Sequence, residues 1–483
     1  MNFAELQRIA HGAMLERNLR PQFSAQALQQ AQGLSAASAD TRGTVQDLRH
    51  LPWCSIDNDD SRDLDQLTVA DVLPGGVAVV SVAVADVDAF VSPGSAIDEH
   101  AAHNTTSVYT PAGVFNMLPE RLSNDLSSLN EGEERLALVM RMTVQPDGGV
   151  SNGELLRAAV FNHARLAYNG VADWLDGRGE LPAALRTRAD LQQQLRLQDQ
   201  IAQRLQRWRR ERGALELQTS EARPVFVNGE LVDLRPDERN RAKELIGELM
   251  IAANAATARF LQQRGSPSLR RFLREPARWD RLQQLALQLG EALPAQPDAV
   301  ALDRLLRRRQ QADPQGFADL SLAVVKLLGA GEYSAAAPGE ARDGHFGLAV
   351  HDYAHATAPN RRFADLLTHR LVKAALLGEG TPYTVATLQA AAAQCNLQAR
   401  NANKVERQVR KAAAALLLAP RVGQRFHGLV TGVKPSATYV RITSPTAEGR
   451  IVHGFEGLDV GDRVSVRLVA VDAGRGYIDF ERA

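Results

Sequence analysis

Five aspartates lie within nine residues of the stretch SIDNDDSRDLDQL, which spans positions 55–67: Asp57, Asp59, Asp60, Asp63 and Asp65. Carboxylates this close together repel one another, so a folded site needs a countercharge to keep them ionised. A divalent cation supplies that charge, and a set of hard oxygen ligands favours Mg²⁺, Mn²⁺ or Ca²⁺ over zinc. The alternative interpretation is an acidic turn that is open to solvent.

The spacing of these aspartates does not fit an EF-hand, which needs Gly at position 6 and Glu at position 12. Counted from Asp57, those positions hold Arg62 and Thr68. If residues 63–65 are extended, Asp63 and Asp65 project to one side, and Asp57 can return from the other end of a short loop. Three carboxylates would then converge on one or two ions. The neighbours that argue against a fully exposed loop are Trp53, Ile56, Leu64 and Leu67.

The composition sets broad limits on the class of protein. A chain of 483 residues has room for two to four domains of ~100–200 residues. Its 56 Lys and Arg balance 56 Asp and Glu, which excludes binding to nucleic acid by bulk positive charge but leaves room for a local basic channel. Cys54 and Cys395 cannot form a disulfide framework, and no apolar run reaches the ~18 residues of a membrane helix. We therefore expect a soluble, cytoplasmic protein that does not bind membranes.

The apolar pattern divides the chain into three parts. Residues 1–50 predict a small helical unit, either a helix-turn-helix module or a helical cap on the next domain. Ser24 is placed to cap its second helix and Gly33 to end it, and a third short helix is expected within 35–49. Residues 420–483 show short strands between glycine turns, which predicts a five-stranded OB barrel.

The long middle part, residues 51–419, begins with strands and continues with helices. Its strand candidates are VAVVSVAVADV and RLALVMRMTV, and its long helical segments are 185–212 and 239–264. A strand pair is expected near 215–234, with its turn at Asn228–Gly229. Strands followed by helices predict the α+β class.

The acidic stretch resembles the catalytic signature of the ribonuclease II/RNase R family of RNB-type 3′→5′ exoribonucleases, whose usual form is T-I-D-x-x-x-A-x-D-x-D-D-A. Further family blocks follow in the same order: TTSVYTPAGVFNMLPERL, HARLAYNGV, ELIGELMIAANAATARFL and HFGLAVHDYAHATAPNRRFADLLTHRLV. The C-terminal barrel resembles the S1 RNA-binding domain of that family. The resemblance covers roughly residues 50–483, so it implies a catalytic domain over 51–419 and an S1 domain over 420–483.

The resemblance implies a processive exoribonuclease that hydrolyses single-stranded RNA from its 3′ end and releases nucleoside 5′-monophosphates. It places Asp57, Asp63 and Asp65 as ligands of two Mg²⁺ ions, with Asp65 central to catalysis. The family's fourth carboxylate falls on Gln66, whose amide oxygen can bind a metal but carries no charge. One ion could therefore bind more weakly, or Mn²⁺ could be preferred. The alternative function is an RNA-binding protein of the same fold without catalytic activity.

The same resemblance assigns roles further along the chain. Tyr168 would contact the 3′-terminal nucleotides, Glu248 would hold the terminal ribose, and Arg361 would grip the scissile phosphate. Arg362 would contact RNA or pair with a carboxylate instead. Tyr109 would stack on bases.

The second stacking residue of the family, a phenylalanine, falls most closely on Leu217, which has no π-face. On the barrel, Phe426, Tyr439 and Arg441 are candidates for RNA contacts, with core packing as the alternative for Phe426. We expect four histidines to be structural or close to RNA and not a metal site: His345, His351, His355 and His369.

Arginine-rich stretches occur at 204–213, 269–281 and 304–311, either as solvated helix faces or as part of an RNA channel. The resemblance implies that RNA enters 3′ end first between the barrel and the catalytic domain. Family members carry cold-shock domains before the catalytic domain, and residues 1–50 are too short for a pair of them. We therefore expect a wider entrance that tolerates structured RNA, and a protein that acts as a monomer.

Overall fold

The computed structural model describes residues 3–218, 222–227, 230–236, 239–314, 316–340, 344–434 and 437–483. Its helices are α1 (Phe3–Glu16), α2 (Ala25–Gly33), α3 (Ala96–Asn104), α4 (Tyr168–Leu175), α5 (Ala189–Arg210), α6 (Arg241–Gln263), α7 (Trp279–Gln288), α8 (Ala299–Ala312), α9 (Phe317–Leu328), α10 (Phe363–Leu377) and α11 (Val385–Leu418). The expected helices at 185–212 and 239–264 correspond to α5 and α6. None of the helices in the described ranges is long and apolar enough to cross a membrane.

The strands confirm the α+β class. Those that precede the barrel are β1 (Val45–Asp47), β2 (Ser55–Asp57), β3 (Gln66–Val72), β4 (Ala78–Ala85), β5 (Val108–Thr110), β6 (Gly113–Phe115), β7 (Glu134–Val144), β8 (Val150–Phe161), β9 (Arg165–Ala167), β10 (Ala222–Val227), β11 (Glu230–Pro236), β12 (Ser268–Phe272) and β13 (Glu332–Ala336). The last part has β14 (Arg425–Lys434), β15 (Ala437–Thr443), β16 (Thr446–His453), β17 (Arg463–Asp472) and β18 (Tyr477–Arg482).

A five-stranded sheet in the order β1-β8-β7-β4-β3 forms the centre of the middle part. Strand β4 is apolar on both faces because each face meets a different core. Val80, Val82 and Val84 pack with residues of α5 and α6. The alternate residues Ala83 and Ala85 pack with residues of α3 and α10. Successive side chains of a strand point to opposite faces, so a sheet covered on both sides gives the apolar run seen in the sequence, which only Ser81 interrupts within β4.

The N-terminal helices pack on the middle part of the chain rather than on a core of their own. Apolar residues of α1, including Leu6 and Ala10, share a core with Val405 and Val409 of α11. Helix α2 packs against α3, and the Ser24 side chain accepts the backbone N–H of Ala27 at its start. This arrangement favours the helical cap over the helix-turn-helix module.

The expected third helix within 35–49 is wrong. A single 3₁₀ turn at Ala36–Ser38 is followed by strand β1. That strand runs parallel to β8, with Val45 opposite Arg157. The pairing partner lies more than a hundred residues further along the chain, so local pattern gives no sign of it.

The remaining β-structure follows the predictions closely. Strands β10 and β11 form an antiparallel pair near the expected place, and the predicted turn at 228–229 lies outside the described residues. Strands β14 to β18 close into a barrel in the order β14-β15-β16-β18-β17. The barrel core continues into the apolar faces of α11 and β11, so the barrel packs on the middle part of the chain. Cys54 and Cys395 are buried and unbridged.

Buried ion pairs hold α10 against the end of β4. Asp86, which directly follows β4, is fully buried and binds Arg157 of β8 at 2.8 Å and Lys373 of α10 at 3.1 Å. Arg370 of α10 reaches Asp88 at 2.7 Å. Removing one member of such a network leaves an uncompensated buried charge, which costs far more than the loss of an exposed pair.

We expect Asp86→Ala to destabilise the protein by about 3–5 kcal/mol, because Arg157 and Lys373 would remain buried without their shared partner. The matched control is Glu154→Ala, which breaks the more exposed Arg141–Glu154 pair and should cost about 0–1 kcal/mol. Urea denaturation followed by circular dichroism measures both. Equal losses of stability in the two variants would contradict this account of α10.

Candidate active site

The acidic loop between β2 and β3 is fixed at both ends. Strand β2 pairs in parallel with β9, and Arg165 of β9 donates from Nη2 to the carbonyls of Asp59 and Ser61 at 3.0 and 2.7 Å. The carboxylate of Asp57 accepts the Ser61 hydroxyl at 2.9 Å. The loop therefore curls back onto Asp57, while Asp60 faces outward as an exposed residue.

Asp63 and Asp65 lie in an extended segment that leads into β3. Leu64 between them is buried in the core, and its backbone N–H donates to the Ser128 hydroxyl at 3.0 Å. Its carbonyl accepts the N–H of Leu129 at 2.9 Å. The neighbours of Leu64 therefore face away from the core, which is the alternation that the sequence pattern predicts.

Arg361 reaches Asp65 from almost three hundred residues further along the chain. Its Nε donates to Asp65 Oδ2 at 3.3 Å, and the backbone N–H of Asn360 donates to Oδ1 at 3.1 Å. Asp65 is 2% exposed, whereas 44% of the Arg361 side chain is exposed. The pair therefore joins a buried carboxylate to a guanidinium that remains open to a ligand.

The segment before Arg361 is held by the rest of the fold. The N–H of Ala356 donates to Asn254 of α6 at 2.8 Å, and the amide of Gln66 donates to the carbonyl of Thr357. The N–H of Ala358 donates to Asp365 of α10 at 2.8 Å. Strand, helix and loop thus fix one backbone segment, which places the guanidinium with little freedom.

Two tyrosines border the carboxylates. Tyr109 of β5 donates its hydroxyl to Asp63 Oδ2 at 3.0 Å and is 41% exposed. Tyr168 is the first residue of α4. Burial raises the pKa of the Tyr168 hydroxyl above its ordinary value, the charge of Asp57 adds to the rise, and Arg361 opposes it. Tyr168 therefore lies within electrostatic reach of both groups.

The site carries more negative than positive charge in the absence of a bound cation. Burial raises the pKa of Asp65 to about 7; Arg361 lowers it and Asp63 raises it further. Burial also raises the pKa of Asp63. Desolvation lowers the pKa of Arg361, but the charges of Tyr109 and of the three carboxylates raise it by more. A cation would remove the repulsion between the carboxylates, so the charge balance favours cation binding.

The donor set fits a hard divalent ion that also binds substrate. In the part of the chain that the structure describes, no three His, Cys, Asp or Glu side chains converge as a preformed metal cage. Mg²⁺ needs no such cage, because it keeps several waters and commonly binds one or two carboxylates together with substrate phosphates. Asp63 and Asp65 are the residues that would hold it, with Asp57 beside them.

Gln66 and Arg362, the two sequence candidates beside the core of the site, bind the protein itself. The Gln66 amide nitrogen donates to the carbonyl of Thr357, so this side chain connects β3 to the Arg361 segment. Arg362 donates to Asp365 at 2.7 Å, the carboxylate pairing that the sequence left open.

Glu248 lies on α6 and is 6% exposed. Arg209 of α5 donates to both of its carboxylate oxygens and also to the carbonyl of Leu348 at 3.0 Å. A buried glutamate among apolar residues needs a partner, and nothing in the sequence identifies Arg209 as that partner. That residue lies in an arginine-rich stretch, where nothing local separates a buried arginine from an exposed one.

Several residues that the sequence predicts to contact RNA lie away from the acidic site. Leu217 sits in an irregular segment and packs on the cluster formed by α7, α8 and α9. Phe426 is buried inside the barrel with its ring 6.1 Å from that of Phe480, so core packing describes it. Arg441 of the barrel forms an ion pair with Asp319 of α9. Tyr439 stays partly exposed, with the Lys434 ammonium 5.5 Å from its ring.

The histidines of the 345–369 segment have structural surroundings. Nδ1 of His355 contacts the Tyr333 hydroxyl at 2.7 Å, and Nε2 of His369 contacts the Ala356 carbonyl at 2.7 Å. Burial lowers the pKa of His355 and of His369, and it lowers that of His345 to about 4. Uncharged histidines in these contacts fit a packing role. His351 is exposed.

A cavity of about 710 Å³ opens beside Asp63 and Tyr109. The hairpin β5–β6, helix α11 and Phe3 of α1 form its other walls. From α11, Glu406 accepts the backbone N–H of Tyr109 at 3.0 Å. The acidic site is therefore open on this side to a ligand of considerable size, and helix α1 contributes to the opening.

Comparisons with known proteins agree with this geometry. The family model described as RNB domain matches residues 45–378, and the model described as RNase II-type exonuclease C-terminal S1 domain matches residues 424–483. The chain is 31% identical over 476 residues to ribonuclease R of Vibrio parahaemolyticus, covering 90% of this chain and 55% of the relative. Its identity to Escherichia coli ribonuclease R is 31% over 471 residues, covering 90% and 57%.

The structure superposes on that of Mycoplasma genitalium RNase R in complex with ribose-methylated single-stranded RNA, with a TM-score of 0.86. The sequence identity is 23%, and the match covers 98% of this chain and 77% of the other. This likeness shows a shared fold. The chain spans little more than half the length of the curated relatives that it matches.

We expect Mg²⁺ or Mn²⁺ to raise the thermal unfolding midpoint of the protein, because an ion that binds only the folded state stabilises it, by ~2.7 kcal/mol at 100 times its Kd. Asp65→Asn should lose most of that gain, since it removes the buried carboxylate at the centre of the site. Asp71→Asn, which changes an exposed acid of β3, should keep the full gain. Equal gains in all three proteins would place the ion elsewhere.

Proposed function

Because the chain belongs to the RNB-domain family, we propose that it is a 3′→5′ exoribonuclease that degrades single-stranded RNA processively to nucleoside 5′-monophosphates. RNA hydrolysis needs an activated water, stabilisation of the charge on phosphorus and a route for the leaving oxygen. The observation that carries the proposal is the meeting of Asp63, Asp65 and Arg361 at one point. Carboxylates for a cation and a guanidinium for a phosphate then lie side by side.

Arg361 has the geometry of a phosphate-binding residue. Its Nε is used by Asp65, and in the described part of the chain no protein group takes its two terminal nitrogens. A guanidinium offers planar, charge-assisted hydrogen bonds that match phosphoryl oxygens. The Asp65 contact fixes the plane of the group, so the free edge can donate to the scissile phosphate and stabilise the charge that develops there.

We assign the cation as Mg²⁺, with Mn²⁺ as a substitute, and Asp57, Asp63 and Asp65 as the carboxylates that hold it. When bound, it supplies the positive charge that favours ionisation of water and stabilises the leaving 3′-oxygen. Gln66 brings no charge to this set. Its amide instead keeps the Thr357 segment, and with it Arg361, against strand β3.

Three further side chains would recognise the terminal nucleotides. The exposed ring of Tyr109 can stack on a base. The raised pKa of Tyr168 keeps its hydroxyl protonated, so it can donate to a phosphate or to a ribose oxygen. Glu248 keeps free lone pairs beside Arg209 that can accept ribose hydroxyls. A 2′-hydroxyl held in this way would favour RNA over DNA.

The domain organisation supports the same function. We assign residues 51–419 to catalysis and 420–483 to RNA binding by the S1 barrel, with residues 1–50 as a helical cap. The matched ranges 45–378 and 424–483 leave between them the long helix α11, which carries the barrel. RNA would enter between the barrel and the catalytic domain and reach Asp65 with its 3′ end.

The decisive assay follows RNA labelled throughout its length, in the presence of Mg²⁺ or Mn²⁺. We expect nucleoside 5′-monophosphates to accumulate without products of intermediate length, and circular RNA of the same sequence to resist degradation. Asp65→Asn should slow release by about 100-fold or more, because the site loses a central charge. Asp71→Asn should match the wild type. Binding of RNA without cleavage by the wild-type protein would overturn the proposal and support the non-catalytic alternative.

Tyr109 gives a separate prediction about base stacking. In an Asp65→Asn background, in which cleavage is slow, Tyr109→Ala should weaken binding of single-stranded RNA by ~1–3 kcal/mol, because the base loses its aromatic partner. Tyr109→Phe keeps the ring and loses only the hydrogen bond to Asp63, so its affinity should stay close to that of the parent. Fluorescence anisotropy measures both. An equal loss in the phenylalanine variant would assign the contact to the hydroxyl instead.

A further inference from the structure

Two of the arginine-rich stretches meet in space although about a hundred residues separate them. Stretch 204–213 ends α5, and stretch 304–311 lies on α8. Arg307 of α8 donates to the carbonyl of Arg210 at 3.4 Å. Between them and the start of α6 opens a cavity of about 720 Å³, which we call the arginine cavity. Its walls contain three carboxylates and six arginines: Arg178, Arg207, Arg210, Arg239, Arg241 and Arg307.

Neighbouring carboxylates hold most of these arginines in place. Arg241 binds Asp199 through two nitrogens, at 2.8 and 2.7 Å, and reaches Asp176 at 3.1 Å. Arg307 pairs in the same way with the buried Asp303. Side chains that are already ordered lose less entropy when a ligand binds. The walls therefore present a fixed set of N–H donors.

Arg207 in the wall of the arginine cavity and Arg304 in an adjacent cavity differ from these paired arginines. In the described part of the chain, neither Arg207 nor Arg304 forms an ion pair or a side-chain hydrogen bond, and both are exposed. Arg304 lines a smaller cavity of about 300 Å³, which shares Arg210 and Arg307 with the first. These two guanidinium groups supply positive charge that no protein carboxylate neutralises.

The amino end of α6 faces the same space. Asn240, Arg241 and Glu244 are among the lining residues. Helix α6 spans 23 residues and begins at Arg241, so the positive end of its dipole lies at the cavity wall. Backbone N–H groups at a helix start favour anions. The helix therefore adds to the charge supplied by the arginines.

The arginine cavity adjoins the proposed catalytic site through two helices. Asn240 donates to the side chain of Asn169 at 3.0 Å, and Asn169 directly follows Tyr168. On α6, Glu244 lies one turn before Glu248, a rise of about 6 Å. An anion in the cavity would therefore lie close to the residues that are proposed to hold the terminal nucleotide.

We propose that the arginine cavity is a binding site for a phosphate group carried by a nucleotide. None of the described residues that line its walls is aromatic, so recognition would be of phosphate and not of a base. Guanidinium forks match phosphate geometry, and the volume lies within the ~300–1,000 Å³ that is common for ligand sites. The phosphate comes from a departing nucleoside 5′-monophosphate or from the RNA backbone. The choice between these two sources rests on the proposed function. The proposal that the cavity binds phosphate does not rest on it.

The test compares Arg207→Gln/Arg304→Gln with the wild type and with Arg309→Gln. Arg309 lies on α8 but lines neither cavity. Calorimetric titrations in EDTA use adenosine 5′-monophosphate, inorganic phosphate, adenosine and a 2′-O-methylated oligonucleotide. We expect the double variant to bind adenosine 5′-monophosphate and phosphate about tenfold more weakly or worse, and Arg309→Gln to bind both as the wild type does. Adenosine should not bind at the cavity.

Each outcome decides the proposal. If the double variant loses affinity for adenosine 5′-monophosphate but not for the oligonucleotide, the released product is the source of the phosphate. If it also loses affinity for the oligonucleotide, the source is the RNA backbone. Unchanged affinity for every phosphate-bearing probe would overturn the site, as would an equal loss in Arg309→Gln. Circular dichroism confirms that the variants are folded. Because EDTA removes the cation, the titrations do not depend on nuclease activity, so failure of the proposed function would appear only in the degradation assay.

Discussion

The contact between Asp65 and Arg361 is the constraint on which the rest of the structure depends. A buried carboxylate is costly unless it has partners, and Asp65 finds them in Arg361 and in the N–H of Asn360, about 295 residues away in sequence. Two segments must therefore be held in register across the whole catalytic part. The central sheet fixes one of them, and backbone hydrogen bonds donated to the side chains of Asn254 and Asp365 fix the other.

This constraint explains why the site is rigid and yet has charged groups whose partners the protein does not supply. The carboxylates keep an excess of negative charge. Burial raises the pKa of Asp65, the charge of Asp63 adds to the rise, and Arg361 keeps its terminal nitrogens open. A cation would satisfy the first group and a phosphate the second. The protein holds these charged groups in fixed positions, and their partners arrive only with the substrate. Preorganised charges of this kind stabilise a transition state. The arginine cavity repeats the pattern, with guanidinium groups held by carboxylates at fixed places.

The sequence pattern predicted those features of the structure that depend on neighbouring residues in the chain. The alternation around Leu64 gave the direction of the neighbouring aspartates, and the glycine turns of the last part gave a barrel. Strand β1 was missed because only its distant partner β8 makes it a strand. Phe426 and Arg441 lie on barrel strands as expected, yet one points into the core and the other pairs with α9, since the face that a strand shows to a neighbour depends on tertiary packing.

The central claim is that Asp65 binds a cation and Arg361 binds a phosphate at one point. The most direct measurement is a crystal structure of the protein with Mn²⁺ and a non-cleavable RNA, in which anomalous scattering locates the ion. The account predicts an ion about 2.0–2.2 Å from oxygens of Asp63 and Asp65, with a terminal nitrogen of Arg361 on the same phosphate that the ion contacts. An ion bound away from these carboxylates, or an Arg361 turned from the phosphate, would contradict it.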